Sequence, residues 1–192
     1  AWSIHNCGRS RTGAWYEHPL VGSNYRISEF HAALLLRQLE RLEAQTVRRS
    51  ENAALLTSLL RDIEGIDPFE DDPRVTTHAH HLYIFRYGAD SSGLSRDRFV
   101  EALCAEGIPC AAGYRPLYGE EAFTARFANY PLKSAYFGGK PDYSRVSCPV
   151  TERICASEAV WLTQNMLLGP TEDMRDIAAA IGKVVAGAHT LT

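Results

Sequence analysis

Few side chains in this sequence could carry covalent chemistry, and their spacing narrows the choice. Lys133, Lys140 and Lys183 are the only lysines among twenty basic residues, so Schiff-base chemistry has three candidates. The five cysteines, Cys7, Cys104, Cys110, Cys148 and Cys155, are scattered, odd in number and lack a C-x-x-C pair. That is the pattern of reduced thiols in a cytosolic protein, not of a disulfide framework or a zinc site. His78, His80 and His81 could set two rings on one face of a strand. No Asp, Glu or Cys stands at ligand spacing beside them and no zinc template is met, so no metal is expected.

The stretch that organises the chain is Gly22-Ser23-Asn24-Tyr25-Arg26-Ile27-Ser28-Glu29-Phe30-His31-Ala32-Ala33. Gly22, Ser23 and Asn24 favour a turn, Ser28 can cap a helix, and Glu29 places negative charge in its first turn. Ile27, Phe30, Leu34, Leu35, Leu39 and Leu42 then recur at threes and fours, which predicts a buried helical stripe. The helical pattern continues to Glu64 through Leu55, Leu56, Leu59, Leu60 and Ile63, with Gly65 as its C-cap. The polar middle, Glu43 to Asn52 with Arg48, Arg49 and Glu51, predicts a break or kink and a solvated charged face.

Beyond it the elements shorten. Ile66 to Phe69 and His81 to Tyr87 read as strands, the second rich in aromatic and β-branched residues. Leu94 to Gly107 reads as a helix capped by Ser95, with Phe99 and Leu103 on its buried face, and Ile108 to Tyr114 as the next strand. Residues 119–129 allow a helix, and 131–142, rich in Gly, Pro and aromatic residues, a structured loop. Thr151 is the expected cap of a short helix to Ala159, and Trp161 to Leu168 reads as extended or mixed. Thr171 is the expected cap of a final helix whose stripe is Met174, Ile177, Ala178, Ile181, Val184 and Val185. Lys183 lies opposite that stripe. Strand, helix, strand implies a small α/β (α+β) sandwich.

Composition excludes several classes. At 192 residues there is length for one large domain or one domain with an appendage. A net charge of −3 argues against a nucleic-acid partner, which calls for a basic excess. No apolar run approaches the roughly 20 residues that span a bilayer, and no signal-peptide pattern opens the chain, so a cytoplasmic protein is expected. The chain opens on Ala1 without a methionine, as though cut from something longer. Residues 10–19 read as an extended loop whose Trp15, Tyr16 and His18 are loop aromatics or site-lining residues.

The wording of the 22–33 stretch, followed by Gln38-Leu39-Glu40-Arg41-Leu42, resembles the signature of the DegT/DnrJ/EryC1/StrS family of pyridoxal-phosphate (PLP) sugar and cyclitol aminotransferases. Asn6-Cys7-Gly8-Arg9, His81-Leu82-Tyr83, Gly107-Ile108-Pro109 and Gly113-Tyr114-Arg115-Pro116-Leu117-Tyr118 are similar to family stretches in the same order. So are Cys148 to Arg153, Leu167-Leu168-Gly169 and Glu172-Asp173-Met174, although His80 stands where an aromatic residue is common. The closest wording is that of the aminocyclitol group of antibiotic biosynthesis, which includes L-glutamine:scyllo-inosose aminotransferases. The resemblance spans nearly all of the chain but only the family's C-terminal half.

It therefore implies the C-terminal small domain of a fold-type I PLP transferase: a long helix plus a small antiparallel or mixed sheet with covering helices. Residues 1–23 correspond to the linker from a large domain and 24–192 to the small domain. Asn24 and Arg26 are implied as cofactor-binding residues, on a loop that crosses a dimer interface toward the neighbouring subunit's phosphate site. An uncharged amide can donate to phosphate, and a guanidinium can pair with phosphate or carboxylate bidentately. His81 and Tyr114 are implied to face the small-molecule substrate, a keto-cyclitol or keto-sugar, with L-glutamine or L-glutamate as amino donor. The family's Schiff-base lysine, pyridine-facing aspartate and Gly-rich phosphate loop have no counterpart here, and none of the three lysines lies in a matching context. No catalytic residue and no covalently held PLP are expected on this chain, and a domain parted from its partner would expose apolar surface. The alternative is a non-catalytic partner or interaction domain that lends Asn24 and Arg26 to a complete subunit.

Overall fold

Tyr83, Phe85 and Tyr87 alternate with Leu82, Ile84 and Arg86, the period of two that a half-buried strand requires. The computed structural model, which describes residues 1–13, 17–70, 72–120 and 143–191, places that alternation at the centre of a sheet. The helix expected at 119–129 and the loop at 131–142 lie outside the described residues from 121 on, as do Lys133, Lys140, Trp15 and Tyr16. The chain separates into two compact units, Ala1–Ala44 and Gln45–Thr192. In order, the elements are α1 (Trp2–His5), α2 (Glu29–Leu60), β1 (Ile66–Pro68), β2 (Leu82–Tyr87), α3 (Ala89–Ser92) and α4 (Arg96–Ala105). Then follow α5 (Pro149–Arg153), a π-helical turn (Ile154–Glu158), β3 (Ala159–Thr163) and α6 (Thr171–Ala186).

In the second unit the sheet order is β1-β2-β3, antiparallel throughout, with Ile66 opposite Tyr87 and Tyr83 opposite Leu162. Ala111 adds a single bridge to Trp161, on the edge of β3 away from β2, where a full strand was expected over 108–114. One face of the sheet, Tyr83, Phe85, Tyr87, Val160 and Leu162, is buried in the same core as Leu56, Leu60, Phe99, Leu103, Met174 and Ile181. The Tyr87 ring stacks on Phe99 with centroids 4.2 Å apart, and its hydroxyl donates to the Leu94 carbonyl at 3.0 Å, so the buried phenol is satisfied. This is the mixed helix and small-sheet architecture that the sequence implies.

Three expectations are corrected. α2 is one uninterrupted helix of 32 residues, and it ends at Leu60, ahead of Gly65. Its polar middle does not break it because those side chains are tied down. Arg48 Nε and Nη2 donate to the Gly169 carbonyl at 3.2 and 2.9 Å, and Asn52 Nδ2 donates to the Leu167 and Gly169 carbonyls at 2.9 and 3.0 Å. Arg49 and Asn52 are buried, not solvated. Next, the helix expected to start at Thr151 begins at Pro149, with Cys148 as N-cap, and α6 is preceded by Pro170, so Thr151 and Thr171 are both inside their helices. Finally, the stripe expected to be buried is exposed: Phe30 is 90% accessible, and Ile27, Leu34, Leu35, Leu39 and Leu42 are exposed as well. Periodicity shows that a face is apolar; it does not show that this chain covers it. Ser95, by contrast, caps α4 as expected, its hydroxyl accepting from the Arg98 N–H at 3.4 Å.

Arg96 locks the second unit together. The side chain is buried at the start of α4, yet its terminal nitrogens reach four backbone carbonyls. Nη1 donates to Ala112 at 2.8 Å, Ala159 at 3.2 Å and Cys155 at 3.3 Å; Nη2 donates to Ala156 at 2.8 Å; Nε donates to the Asp97 carboxylate at 2.6 Å. Two of these carbonyls, Cys155 and Ala156, belong to the π-helical turn, where helix ends leave carbonyls without intrahelical partners, and a cation collects them. Arg96→Ala is expected to destabilise the folded unit by about 3–5 kcal/mol in urea unfolding, because buried carbonyls lose their donor. The exposed pair Arg98–Glu101 is the control, and Arg98→Ala should cost less than about 1 kcal/mol.

Candidate functional site

In the first unit a tight backbone arrangement presents Asn24 and Arg26. α1 turns at Cys7 (φ 60°) and Gly8 (φ 76°), and Asn6 bridges Asn24 in antiparallel fashion. The Cys7 N–H donates to the Ser23 carbonyl at 3.0 Å, the Ser23 N–H to Ile4 at 3.1 Å and the Tyr25 N–H to His5 at 3.0 Å. The two strands of chain meet at glycines for a steric reason. A Cβ on Gly22 would sit 2.5 Å from the Gly8 nitrogen and 2.6 Å from the Ile4 oxygen, and one on Gly8 would lie 1.8 Å from the Leu20 oxygen. Ser28 then opens α2, its hydroxyl accepting from the His31 N–H at 3.4 Å.

On that loop Asn24 Oδ1 accepts from the Arg26 backbone N–H at 3.3 Å and from Arg26 Nε at 2.9 Å. The amide orientation is thereby fixed, since its NH2 group in the same place would oppose two donors. Asn24 Nδ2 and both terminal nitrogens of Arg26 have no partner among the described residues, and both side chains are exposed. Two adjacent sets of free N–H donors, one neutral and one cationic, suit an anion such as a phosphate.

The two residues implied for substrate lie in the second unit, and the structure does not bring them side by side on one strand. His81 is exposed and immediately precedes β2. Tyr114 follows the Ala111–Trp161 bridge, and its ring stands edge-on to Trp161 with centroids 4.3 Å apart, leaving Tyr114 66% accessible. Arg96, through Ala112, holds the backbone two residues ahead of Tyr114. The turn at Gly113 (φ 93°) passes close enough to Ala159 that a Cβ would lie 3.2 Å from its side chain.

Sequence reasoning missed Trp161 as the ring under Tyr114, and nothing in its spacing signals that role. It also gave no role to Tyr118, whose hydroxyl donates to Glu152 Oε1 at 2.6 Å. Glu152 in turn accepts from the Cys148 N–H at 3.0 Å, so the loop after Tyr114 is tied to the start of α5. The Tyr118 bond holds the Glu152 carboxyl below its usual range, with help from the Cys148 N–H, and the same bond, with burial second, pushes the Tyr118 phenol up to about 12.

In the histidine cluster His78 and His80 contact each other. The His80 N–H donates to His78 Nδ1 at 2.9 Å and the two rings lie 4.2 Å apart, with His80 buried. Among the described residues no three His, Cys, Asp or Glu side chains group so as to hold a metal ion, and no helix is long and apolar enough to cross a membrane. Lys183 pairs with Glu106 at 2.6 Å.

Comparison with known proteins gives this geometry a context. The profile of the DegT/DnrJ/EryC1/StrS aminotransferase family matches residues 1–182. The chain is 34% identical to the 3-amino-5-hydroxybenzoate synthase of Amycolatopsis mediterranei (strain S699), over 98% of this chain and 46% of that protein. It is 37% identical to the L-glutamine:2-deoxy-scyllo-inosose aminotransferase of Streptomyces paromomycinus, over 90% of this chain and 41% of that protein. Among solved structures, that of 3-amino-5-hydroxybenzoic acid synthase superposes with a TM-score of 0.76 at 33% identity, covering 96% of this chain and 46% of that one. The chain thus spans less than half the length of the relatives it matches.

Two outcomes test the local geometry. Gly22→Ala should part the Asn6–Asn24 bridge, and amide exchange at Cys7 and Tyr25 should accelerate roughly tenfold or more, since each tenfold is ~1.4 kcal/mol of opening. Titrating the phenol of Tyr118 by ultraviolet absorbance should show it ionising above the ordinary tyrosines. Its raised value means the Tyr118–Glu152 tie is complete below the unfolded-state pKa, near 10, and is lost as pH rises through about 12. Glu152 acts in the opposite sense: its lowered value adds stability above the ordinary carboxylate range that is lost as pH falls through the folded value. Glu152→Gln should return the Tyr118 titration toward normal.

Proposed function

The chain belongs to the DegT/DnrJ/EryC1/StrS aminotransferase family, and from that premise we propose that it is the C-terminal portion of a PLP-dependent sugar or cyclitol aminotransferase. The complete enzyme moves an amino group from L-glutamine or L-glutamate to a keto-cyclitol or keto-sugar. The observation that carries this reading is the loop on which Asn24 Nδ2 and the Arg26 terminal nitrogens stand side by side with no partner among the described residues. That pair fits the phosphate end of PLP, which carries negative charge and accepts from several donors.

PLP, when bound in the complete enzyme, supplies the electron sink for amino-group transfer. This chain's part is recognition. Asn24 donates one N–H to a phosphate oxygen while Arg26 holds the amide in register and adds charge; the two do so across a homodimer contact. Tyr114, braced by Trp161, and His81 contact the keto substrate, where an aromatic edge and an imidazole suit a polyhydroxylated ring. The reacting lysine belongs to a part of the protein outside this sequence. Lys183, engaged with Glu106, does not fit that role.

A second reading, a non-catalytic partner that lends the same loop to a complete subunit, draws on the same donors and on the exposed apolar stripe of α2. Adding the chain to a complete aminotransferase separates the two, because a partner changes the transamination rate and a bare portion leaves it unchanged. For the first reading, the chain is joined to the N-terminal portion of the 3-amino-5-hydroxybenzoate synthase and PLP affinity is measured. Asn24→Ala should weaken PLP by about tenfold to a hundredfold, the value of a hydrogen bond to a charged group, ~1.5–3 kcal/mol. Arg26→Lys should recover only part of the loss of Arg26→Ala, because an ammonium keeps the charge without the fork. Unchanged affinity in Asn24→Ala sinks the phosphate role.

A further inference from the structure

At the end of α4 the chain reverses, and two cysteines meet. Gly107 takes a left-handed conformation (φ 90°) after the helix, the Gly107 N–H donates to the Cys104 carbonyl at 3.0 Å, and the Ile108 N–H donates to Leu103 at 3.1 Å. This C-terminal turn carries Cys110 back alongside the last turn of α4. The sulfurs of Cys104 and Cys110 lie 3.7 Å apart. Cys104 is exposed, and Cys110 is half-buried, its thiol donating toward the Val100 carbonyl at 3.7 Å. A disulfide needs about 2.0 Å between sulfurs, so the two thiols already lie within a short closure of bonding distance. Cys7, Cys148 and Cys155 have no thiol neighbour among the described residues.

We propose that Cys104 and Cys110 form a dithiol redox site that closes to an intramolecular disulfide by exchange with a low-molecular-weight disulfide such as oxidised glutathione. The exposed Cys104 thiolate attacks one sulfur of the small disulfide, a protein–glutathione bond forms, and one glutathione thiolate leaves and takes up a proton. The Cys110 thiolate then attacks Cys104 Sγ, and the second glutathione leaves. Two protein thiols are oxidised, one small disulfide is reduced to two thiols, and both protein protons end on glutathione. Burial, helped by the hydrogen bond and charge of Cys104, pushes the Cys110 thiol up to about 12. The resolving step is therefore the slow one at neutral pH, held back by the small thiolate fraction and aided by proximity.

The site sits one residue ahead of Ala111, whose backbone bridges Trp161, and two ahead of the Ala112 carbonyl that Arg96 holds. Closure would fasten the end of α4 to the segment that leads into Tyr114.

The test uses the full 192-residue chain. It is incubated with oxidised glutathione, quenched with an alkylating agent, and digested with trypsin. The tryptic peptide that begins at Phe99 contains Cys104 and Cys110 and no other cysteine. The expected product is that peptide lighter by two hydrogens, with neither thiol alkylated, while Cys7, Cys148 and Cys155 take no part in a crosslink. The lifetime of the mixed disulfide at Cys104 should shorten about tenfold per pH unit between pH 7 and 9, following the thiolate of a high-pKa thiol. Cys110→Ser should leave Cys104 as a lasting mixed disulfide, and Cys104→Ser should leave Cys110 alkylatable and unoxidised. Recovery of both cysteines alkylated, of a stable mixed disulfide at Cys104 in the wild-type chain, or of crosslinks between chains would each overturn the proposal.

Discussion

The Arg96 guanidinium is the point on which the second unit turns. It joins α4, the segment before Tyr114, and the π-helical turn where it runs into β3, three stretches that lie well apart in the sequence. A buried cation costs free energy unless its donors are used, and here they are spent on carbonyls that no secondary structure would otherwise satisfy. The irregular backbone around Gly113 and Ala156 can therefore remain irregular without leaving polar groups stranded. The apolar core of Phe85, Phe99, Leu162 and Ile181 supplies cohesion. Arg96 supplies the shape.

A second set of polar clamps does comparable work elsewhere in that unit. Arg48 and Asn52 both donate to Gly169, in the turn that precedes α6, and Asn52 also to Leu167, so the middle of the long helix is stitched to the approach to the C-terminal helix. In both places a side chain from a helix seals the backbone of a turn. This explains how a unit with a sheet of three short strands holds several non-repetitive segments in fixed positions.

The regular elements were legible because their signals are local. The alternation in β2, the Ser95 cap and the stripe of α6 depend on neighbours a few residues away, and each appears where its pattern puts it. What failed depends on distant partners. Glu43 to Asn52 reads as solvated because nothing nearby in sequence shows that Gly169 awaits Arg48 and Asn52. Phe30 and Leu39 read as buried because periodicity reports a face and not its cover. Of the candidate site, Asn24 and Arg26 were legible only through the wording of a family motif, whereas the mutual hydrogen bond between them, and the Trp161 ring beneath Tyr114, arise only from how the chain folds.

The bond between Asn24 and Arg26 also constrains what could replace the asparagine. Its oxygen is committed to the arginine, so its outward chemistry is purely that of a donor. An aspartate would fit the same space and satisfy Arg26 better, yet it would turn an acceptor outward and carry a like charge toward any incoming anion. The most conservative change in shape is thus the most hostile in polarity. Selection at this position would act on which way a dipole points rather than on size.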